Sequence, residues 1–252
     1  MDVLPVAAGG SIVIGHRGAP RIAPENTPAA FAAAVAVGAD GVELDVRRTA
    51  GGGFALHHDE RLADGRAIAS LTRAALPAEV ADLAEGLDAC RDLALVNVEI
   101  KNWPADGDFD PSLGFVDAVA EALLARPADE RSRLLVSCFH LPSVDRMRAV
   151  APELATAWLV VGPANATAPG EPDPVAALVA ETADHGHAAL HPHHAFVTPA
   201  LVDAAHVAGL AVNTWTCDDP DRIRWLAAIG VDGIVTNVPD VARAALAAPV
   251  GS

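Results

Sequence analysis

Residues 11–46 read SIVIGHRGAPRIAPENTPAAFAAAVAVGADGVELDV. They hold an apolar, strand-like run at 11–17, an alanine-rich helical run at 26–37 closed by Gly38, and a second strand-like run at 41–46. A short strand, a helix ended by glycine and another short strand make one βα unit and the start of the next. The alternation continues along the chain. Further strand candidates lie at 94–101, 133–139, 155–161, 188–194, 211–217 and 233–237, and further helices at 71–90, 113–126, 142–150, 174–185, 199–208, 219–229 and 239–248. Gly186, Gly209 and Gly230 close helices as Gly38 does. Eight such units predict an α/β protein, a closed (β/α)8 TIM barrel. The alternative is an open doubly wound sheet, but no Gly-x-Gly-x-x-Gly follows a strand.

Residues 51–93 break the rhythm with Gly51-Gly52-Gly53, a short strand at 54–57 and a polar turn around Asp64-Gly65-Arg66. They read as a short excursion between the second and third barrel strands, in which the glycines form a hairpin that returns His58 to the barrel mouth. The stretches 106–111 and 162–174 read as loops at the same end. No linker divides the 252 residues, so a single domain over 1–252 is expected.

Apolar residues make up 52% of the chain, enough for a large core, yet charges interrupt every apolar stretch before the roughly 20 residues a bilayer span needs. Residues 1–10 carry no basic side chain and too short an apolar run for a secretory signal, so a cytoplasmic protein is expected. The formal charge is −16, from 17 basic and 33 acidic residues. Such a chain repels polynucleotides and anionic lipid beyond a Debye length of about 8 Å, which excludes nucleic acid and stable membrane association. An anionic small molecule must instead be held locally by cations. The odd number of cysteines, Cys90, Cys138 and Cys217, argues against a disulfide framework.

Polar groups punctuate the ends of the strands. Side chains alternate faces along a strand, so Glu43 and Asp45 point one way, and Asn97, Glu99 and Lys101 share a face. The apolar Val42, Leu44 and Val46 fill the other side, which turns the acids into the barrel. Three converging carboxylates repel one another unless a cation neutralises them, and an all-oxygen set without cysteine favours Mg²⁺ or Ca²⁺. His16 ends the first strand beside Arg17 and Gly18, placing an imidazole, a bidentate phosphate receptor and a flexible turn together. In His57-His58 only one ring faces the site, and alternation does not say which. Histidines near a divalent metal, with Arg17 and Lys101 as anion receptors, point to phosphodiester cleavage.

In sequence order these segments are His16-Arg17-Gly18, Pro24-Glu25-Asn26-Thr27, Glu43-Leu44-Asp45, His58-Asp59 and Glu99-Ile100-Lys101, followed by Asn213-Thr214-Trp215-Thr216 and Gly233 to Asp240. As a set they resemble the glycerophosphodiester phosphodiesterase family over nearly the whole chain. The resemblance implies a TIM barrel that hydrolyses a small-molecule glycerophosphodiester to sn-glycerol 3-phosphate and an alcohol. It implies His16 and His58 as general acid and base, and so selects His58 over His57. Glu43, Asp45 and Glu99 become the ligands of one divalent cation, Mg²⁺ or Ca²⁺. Arg17 and Lys101 become phosphate ligands, and Trp215 a wall against the alcohol group. Glu25-Asn26-Thr27 then caps a helix beside the site, and Asp59 orients His58.

The chain departs from the family pattern after His58-Asp59, where it continues Leu62-Ala63-Asp64-Gly65-Arg66. The same chemistry on a lysophospholipid, as in lysophospholipase D-like barrels, is the alternative, and it requires an apolar groove formed by 161–174, Phe109 and Trp103. A non-catalytic protein that binds a phosphorylated ligand is a third reading, which leaves the paired histidines without a purpose. A last cluster, His185, His187, His191, His193 and His194, has the His-x-His spacing of a transition-metal site. No carboxylate or cysteine accompanies it at ligand spacing, so these are expected to be helix-end and loop histidines, with His191 at a strand end facing substrate.

Overall fold

A computed structural model describes residues 10–162 and 173–247. Eight parallel strands close into a barrel: β1 (Ile12–His16), β2 (Gly41–Arg48), β4 (Leu95–Ile100), β5 (Leu134–Cys138), β6 (Ala155–Val160), β7 (Ala189–Pro192), β8 (Ala211–Thr214) and β9 (Gly233–Thr236). Pairing of β1 with both β9 and β2 completes the ring. The ninth strand, β3 (Phe54–Leu56), runs antiparallel on β2, with Val46 opposite Leu56 and Arg48 opposite Phe54. This is the expected glycine hairpin, and Thr49 donates its backbone N–H to the Gly53 carbonyl across the turn at 2.8 Å.

Two periodicities of burial build the barrel. Val42, Leu44, Val46, Val96, Val98, Leu134 and Val136 face outward into one core beneath the helices, while Val13, Leu190, Val212 and Ile234 face a second. Ile12, Ile14, Leu95, Leu135, Ala157, Ala189 and Val235 form a separate cluster inside the ring. Along this inward face β1 reads Ile12, Ile14, His16 and β4 reads Leu95, Asn97, Glu99, so apolar side chains plug the N-terminal end and polar ones crown the C-terminal end. Gly41 belongs to the plug, since a Cβ there would lie 2.6 Å from the Leu95 carbonyl oxygen.

The outer helices are α1 (Pro28–Ala36), α2 (Leu83–Ala89), α3 (Gly114–Leu124), α4 (Ala128–Arg131), α5 (Leu141–Val150), α6 (Pro174–Asp184), α7 (Pro199–Val207), α8 (Pro220–Ala228) and α9 (Pro239–Ala247). Thr27, Asp173, Thr198 and Asp219 cap α1, α6, α7 and α8, each followed by a proline whose fixed φ suits the first turn. Gly38, Gly186, Gly209 and Gly230 take positive φ where α1, α6, α7 and α8 end.

Two expectations need correction. The helix read over 71–90 is only α2, preceded by 3-10 turns at 68–70 and 73–75. Pro77 drives Leu76 to ψ 150, outside the helical region, and Asp82 with Glu85 then forms a reciprocal cap that starts α2 afresh. The second correction is α4, a single turn after Pro127 that apolar periodicity does not reveal. The excursion has a small core of its own, Ala55, Leu62, Ile68, Leu76 and Val80. The 162–174 loop falls almost wholly outside the described residues.

Candidate active site

Strand register assembles the acidic group. His16 lies beside Glu43, Glu43 beside Asn97, and Asp45 beside Glu99 on successive strands, all at their C-terminal ends. One oxygen each of Glu43, Asp45 and Glu99 falls within a 4.8 Å sphere of mutual separations, and the three residues are 3%, 1% and 8% exposed.

Their environments differ. Lys101 Nζ lies 2.6 Å from Glu99 and 3.0 Å from Asp45, and Arg17 Nε is 3.1 Å from the other Asp45 oxygen. Asn26 grips Asp45 from both sides, donating from Nδ2 to its carboxylate at 2.8 Å and accepting its backbone N–H at 3.0 Å. Burial alone would raise the Asp45 pKa, but Lys101 and then Arg17 hold it well below the usual carboxylate range. Glu43 shows the opposite balance. Burial first, then Asp45 and Glu99, push its pKa well up. Its Oε2 accepts the Arg17 backbone N–H at 2.9 Å, whereas Oε1 is buried without a partner, as is Asn97 Oδ1 on the adjoining strand. Orphaned buried oxygens among carboxylates are the donor set a hard divalent cation takes, so these residues fit the metal expected from the sequence.

Arg17 adopts φ 54, rare for a residue with a side chain, and Gly18 follows at φ 91. The turn aims the Arg17 N–H at Glu43 and its guanidinium at Asp45 and Glu25, the latter 2.9 Å away. His16 Nδ1 is 2.7 Å from Asn237 Oδ1. The Asn237 amide is fixed because its Nδ2 and backbone N–H both donate to Asp218, at 2.9 and 2.8 Å. Oδ1 must therefore accept, His16 carries its proton on Nδ1, and Nε2 presents a lone pair 3.9 Å from Glu43. Burial, then Arg17, lowers the His16 pKa and keeps the ring neutral.

His58 comes from the turn after β3. Its Nδ1 is 2.7 Å from Asp59 Oδ1, and its carbonyl accepts from Arg47 Nε at 2.8 Å. His58 shares a chamber of about 120 Å³ with His16, Arg17, Glu43, Lys101 and Trp215. His57 does not line that chamber, and its Nδ1 lies 2.8 Å from the Asp59 carbonyl. Trp215 is held by a bond from Nε1 to the His191 carbonyl at 2.8 Å and by an edge contact with Phe139. His191 borders the chamber but is 1% exposed, and its Nε2 lies 3.0 Å from Asn213 Nδ2. An outer cavity of about 880 Å³ shares His58, Glu99, Lys101 and Phe139 with the chamber, and Trp103 and Val161 line it. Phe109 does not; its ring packs edge-on against His140.

A family model described as the glycerophosphoryl diester phosphodiesterase family matches residues 16–241. The chain belongs to that family. A Mycobacterium tuberculosis protein named probable glycerophosphodiester phosphodiesterase 1 is 30% identical over 276 residues, covering 95% of this chain and 93% of the relative. The crystal structure of the Thermotoga maritima glycerophosphodiester phosphodiesterase superposes with a TM-score of 0.73 at 26% identity, over 92% of this chain and 96% of that one. The Oleispira antarctica phosphodiesterase, solved in complex with the product sn-glycerol-3-phosphate, shares the fold at a TM-score of 0.81 and 24% identity, over 95% and 98% of the two chains.

Several supporting residues of this family member escape the motif reading. Arg47 donates to both Asp108 oxygens at 2.9 and 3.0 Å and to Asp106 at 3.0 Å, as well as to the His58 carbonyl. Its signal is alternation, since Glu43, Asp45 and Arg47 share a face once β2 is extended to Arg48. Asp218 carries no comparable signal; it follows β8 and meets Asn237 because β8 pairs directly with β9.

Proposed function

We propose that this protein, acting as a single barrel domain, is a metal-dependent glycerophosphodiester phosphodiesterase that releases sn-glycerol 3-phosphate and an alcohol. The carrying observation is the convergence of three buried carboxylates, two cations and two imidazoles on one small chamber, in a chain of this family. Glu43, Asp45 and Glu99 hold one divalent cation, Mg²⁺ or Ca²⁺, through oxygens, Glu43 Oε1 among them. When bound, that cation neutralises the carboxylates and draws electron density from the phosphoryl oxygens.

Arg17 and Lys101 sit at the same chamber and offset the negative charge that builds on the phosphoryl group in the transition state. Neutral His16, with its Nε2 lone pair turned inward and its Nδ1 proton committed to Asn237, takes the proton of the attacking hydroxyl. His58 stands where the chamber meets the outer cavity. Protonated His58 donates Nδ1–H to Asp59 and gives its Nε2 proton to the leaving oxygen, becoming neutral as the alcohol departs outward. Trp215 walls the chamber against the organic group. The hydroxyl that attacks is either water or the neighbouring hydroxyl of the glycerol. The three buried free cysteines fit a reducing, cytoplasmic setting.

The test is release of sn-glycerol 3-phosphate from glycerophosphocholine and glycerophosphoethanolamine with Mg²⁺, with Ca²⁺ and with EDTA. Metal-dependent release supports the assignment, and none under any condition overturns it. The exposed Trp103 and Val161 beside the outer cavity favour one second reading, an acyl-tailed phosphodiester. Faster turnover of lysophosphatidylcholine than of glycerophosphocholine would select it.

A further inference from the structure

The fold brings to the histidines before β7 a carboxylate from a distant helix. Asp145, on α5, places Oδ1 at 2.8 Å from His185 Nδ1 and 3.3 Å from His187 Nε2, and one ligand atom from each of the three falls within 4.8 Å of the others. His187 is 5% exposed, its side chain is fully buried, and its Nε2 makes no hydrogen bond. Its Nδ1 is 3.0 Å from Thr156 Oγ1 on β6, a hydroxyl that can donate to the ring or accept from it, and its Nε2 faces Asp145. In the tautomer whose Nδ1–H donates to Thr156, the Nε2 lone pair and the Asp145 oxygen face each other as two donors to a shared cation.

The surroundings are built to hold this arrangement. Gly186, between the two histidines, takes φ 74, and its carbonyl accepts from Arg148 Nε on α5 at 2.7 Å. Ligand atoms about 2.0–2.1 Å from a tetrahedral metal lie about 3.3 Å apart, close to the Asp145–His187 spacing. We propose that Asp145, His185 and His187 form a second metal site, for a borderline transition cation of the Zn²⁺ or Co²⁺ class, with solvent completing the coordination. Two imidazoles and one carboxylate select such ions over Mg²⁺ and Ca²⁺. His187 lies just before the first residue of β7, at the N-terminal end of the barrel and so opposite the carboxylates of the chamber. Its metal clamps α5 to the α6–β7 connection and takes no part in hydrolysis. Half-exposed Asp145 and His185 leave it open to solvent for loading.

The test is Co²⁺ titration of EDTA-stripped protein in excess Mg²⁺, followed by visible absorption and thermal melting, for wild type, His185→Ala and Asp145→Asn. Both substitutions lie at half-exposed positions, and neither should alter Mg²⁺-supported turnover. The expected result is one imidazole-bound Co²⁺ equivalent and a raised melting temperature in wild type. Affinity at that equivalent should fall at least about tenfold in both variants. Equal stoichiometry, spectrum and affinity in all three proteins would overturn the site and leave Asp145–His185 as an ordinary ion pair.

Discussion

Glu43 is the residue whose surroundings ask most clearly for a cation. Its neighbours Asp45 and Glu99 already occupy Lys101 and Arg17, and one of its oxygens is left without a partner. Glu43→Gln should weaken Mg²⁺ or Ca²⁺ binding by at least about tenfold in calorimetry, and unchanged affinity would remove it from the ligand set. The same substitution should raise the melting temperature of the metal-free protein, because it deletes a buried charge repelled by two others. His191 supplies a pH test. Burial pushes its pKa down to about 3, against about 6.5 in an unfolded chain. Between those values the unfolded state binds a proton that the native state refuses, so its contribution to stability is complete above pH 6.5 and declines as pH falls. Urea unfolding in EDTA should show wild type losing about 2 kcal/mol more than His191→Gln between pH 7 and pH 5. Equal losses would show that His191 is not held neutral. The carboxylates and His16 were legible because each lies on a strand in phase with its alternation, and Arg17 through its place between His16 and Gly18. The choice of His58 over His57 was not, since both sit on a turn where alternation has stopped, and an Arg47 bond to a backbone carbonyl orients the segment.

Among the elements, β2 does most to place the chemistry, carrying Glu43 and Asp45 and then, beyond the end read from sequence, Arg47. Through Arg47 it ties the His58 turn to Asp106 and Asp108 in the loop after β4. Arg47→Ala strands Asp108 as a buried charge, and urea unfolding should register a loss of about 3–5 kcal/mol. The double variant Arg47→Met, Asp108→Asn should recover much of that stability without recovering turnover, because the His58 carbonyl still lacks its donor. Full recovery of both would reduce Arg47 to a structural role. Helix boundaries were readable where a cap and a proline coincide, as at Thr27-Pro28 and Asp219-Pro220. They were misread over 71–90, where alanines suggest a helix that Pro77 forbids.

At the scale of the whole molecule, the regular βα alternation made the barrel legible, and the barrel then dictates that motifs far apart in sequence meet at its C-terminal rim. What periodicity cannot express is contact between helices and loops, which is why Asp145 and the His185-Gly186-His187 turn looked unrelated. The net charge of −16 belongs to this scale too. At physiological salt the protein should not co-sediment with anionic vesicles, and co-sedimentation would favour the acyl-tailed substrate. Among the described residues no helix is long and apolar enough to cross a membrane. The central claim, protons moved by histidines beside an oxygen-bound metal, is tested most directly by glycerophosphocholine turnover of His58→Ala at saturating Mg²⁺, with metal affinity measured on the same sample. The account predicts a fall of about 10²-fold or more with metal affinity retained; near-normal turnover would contradict it.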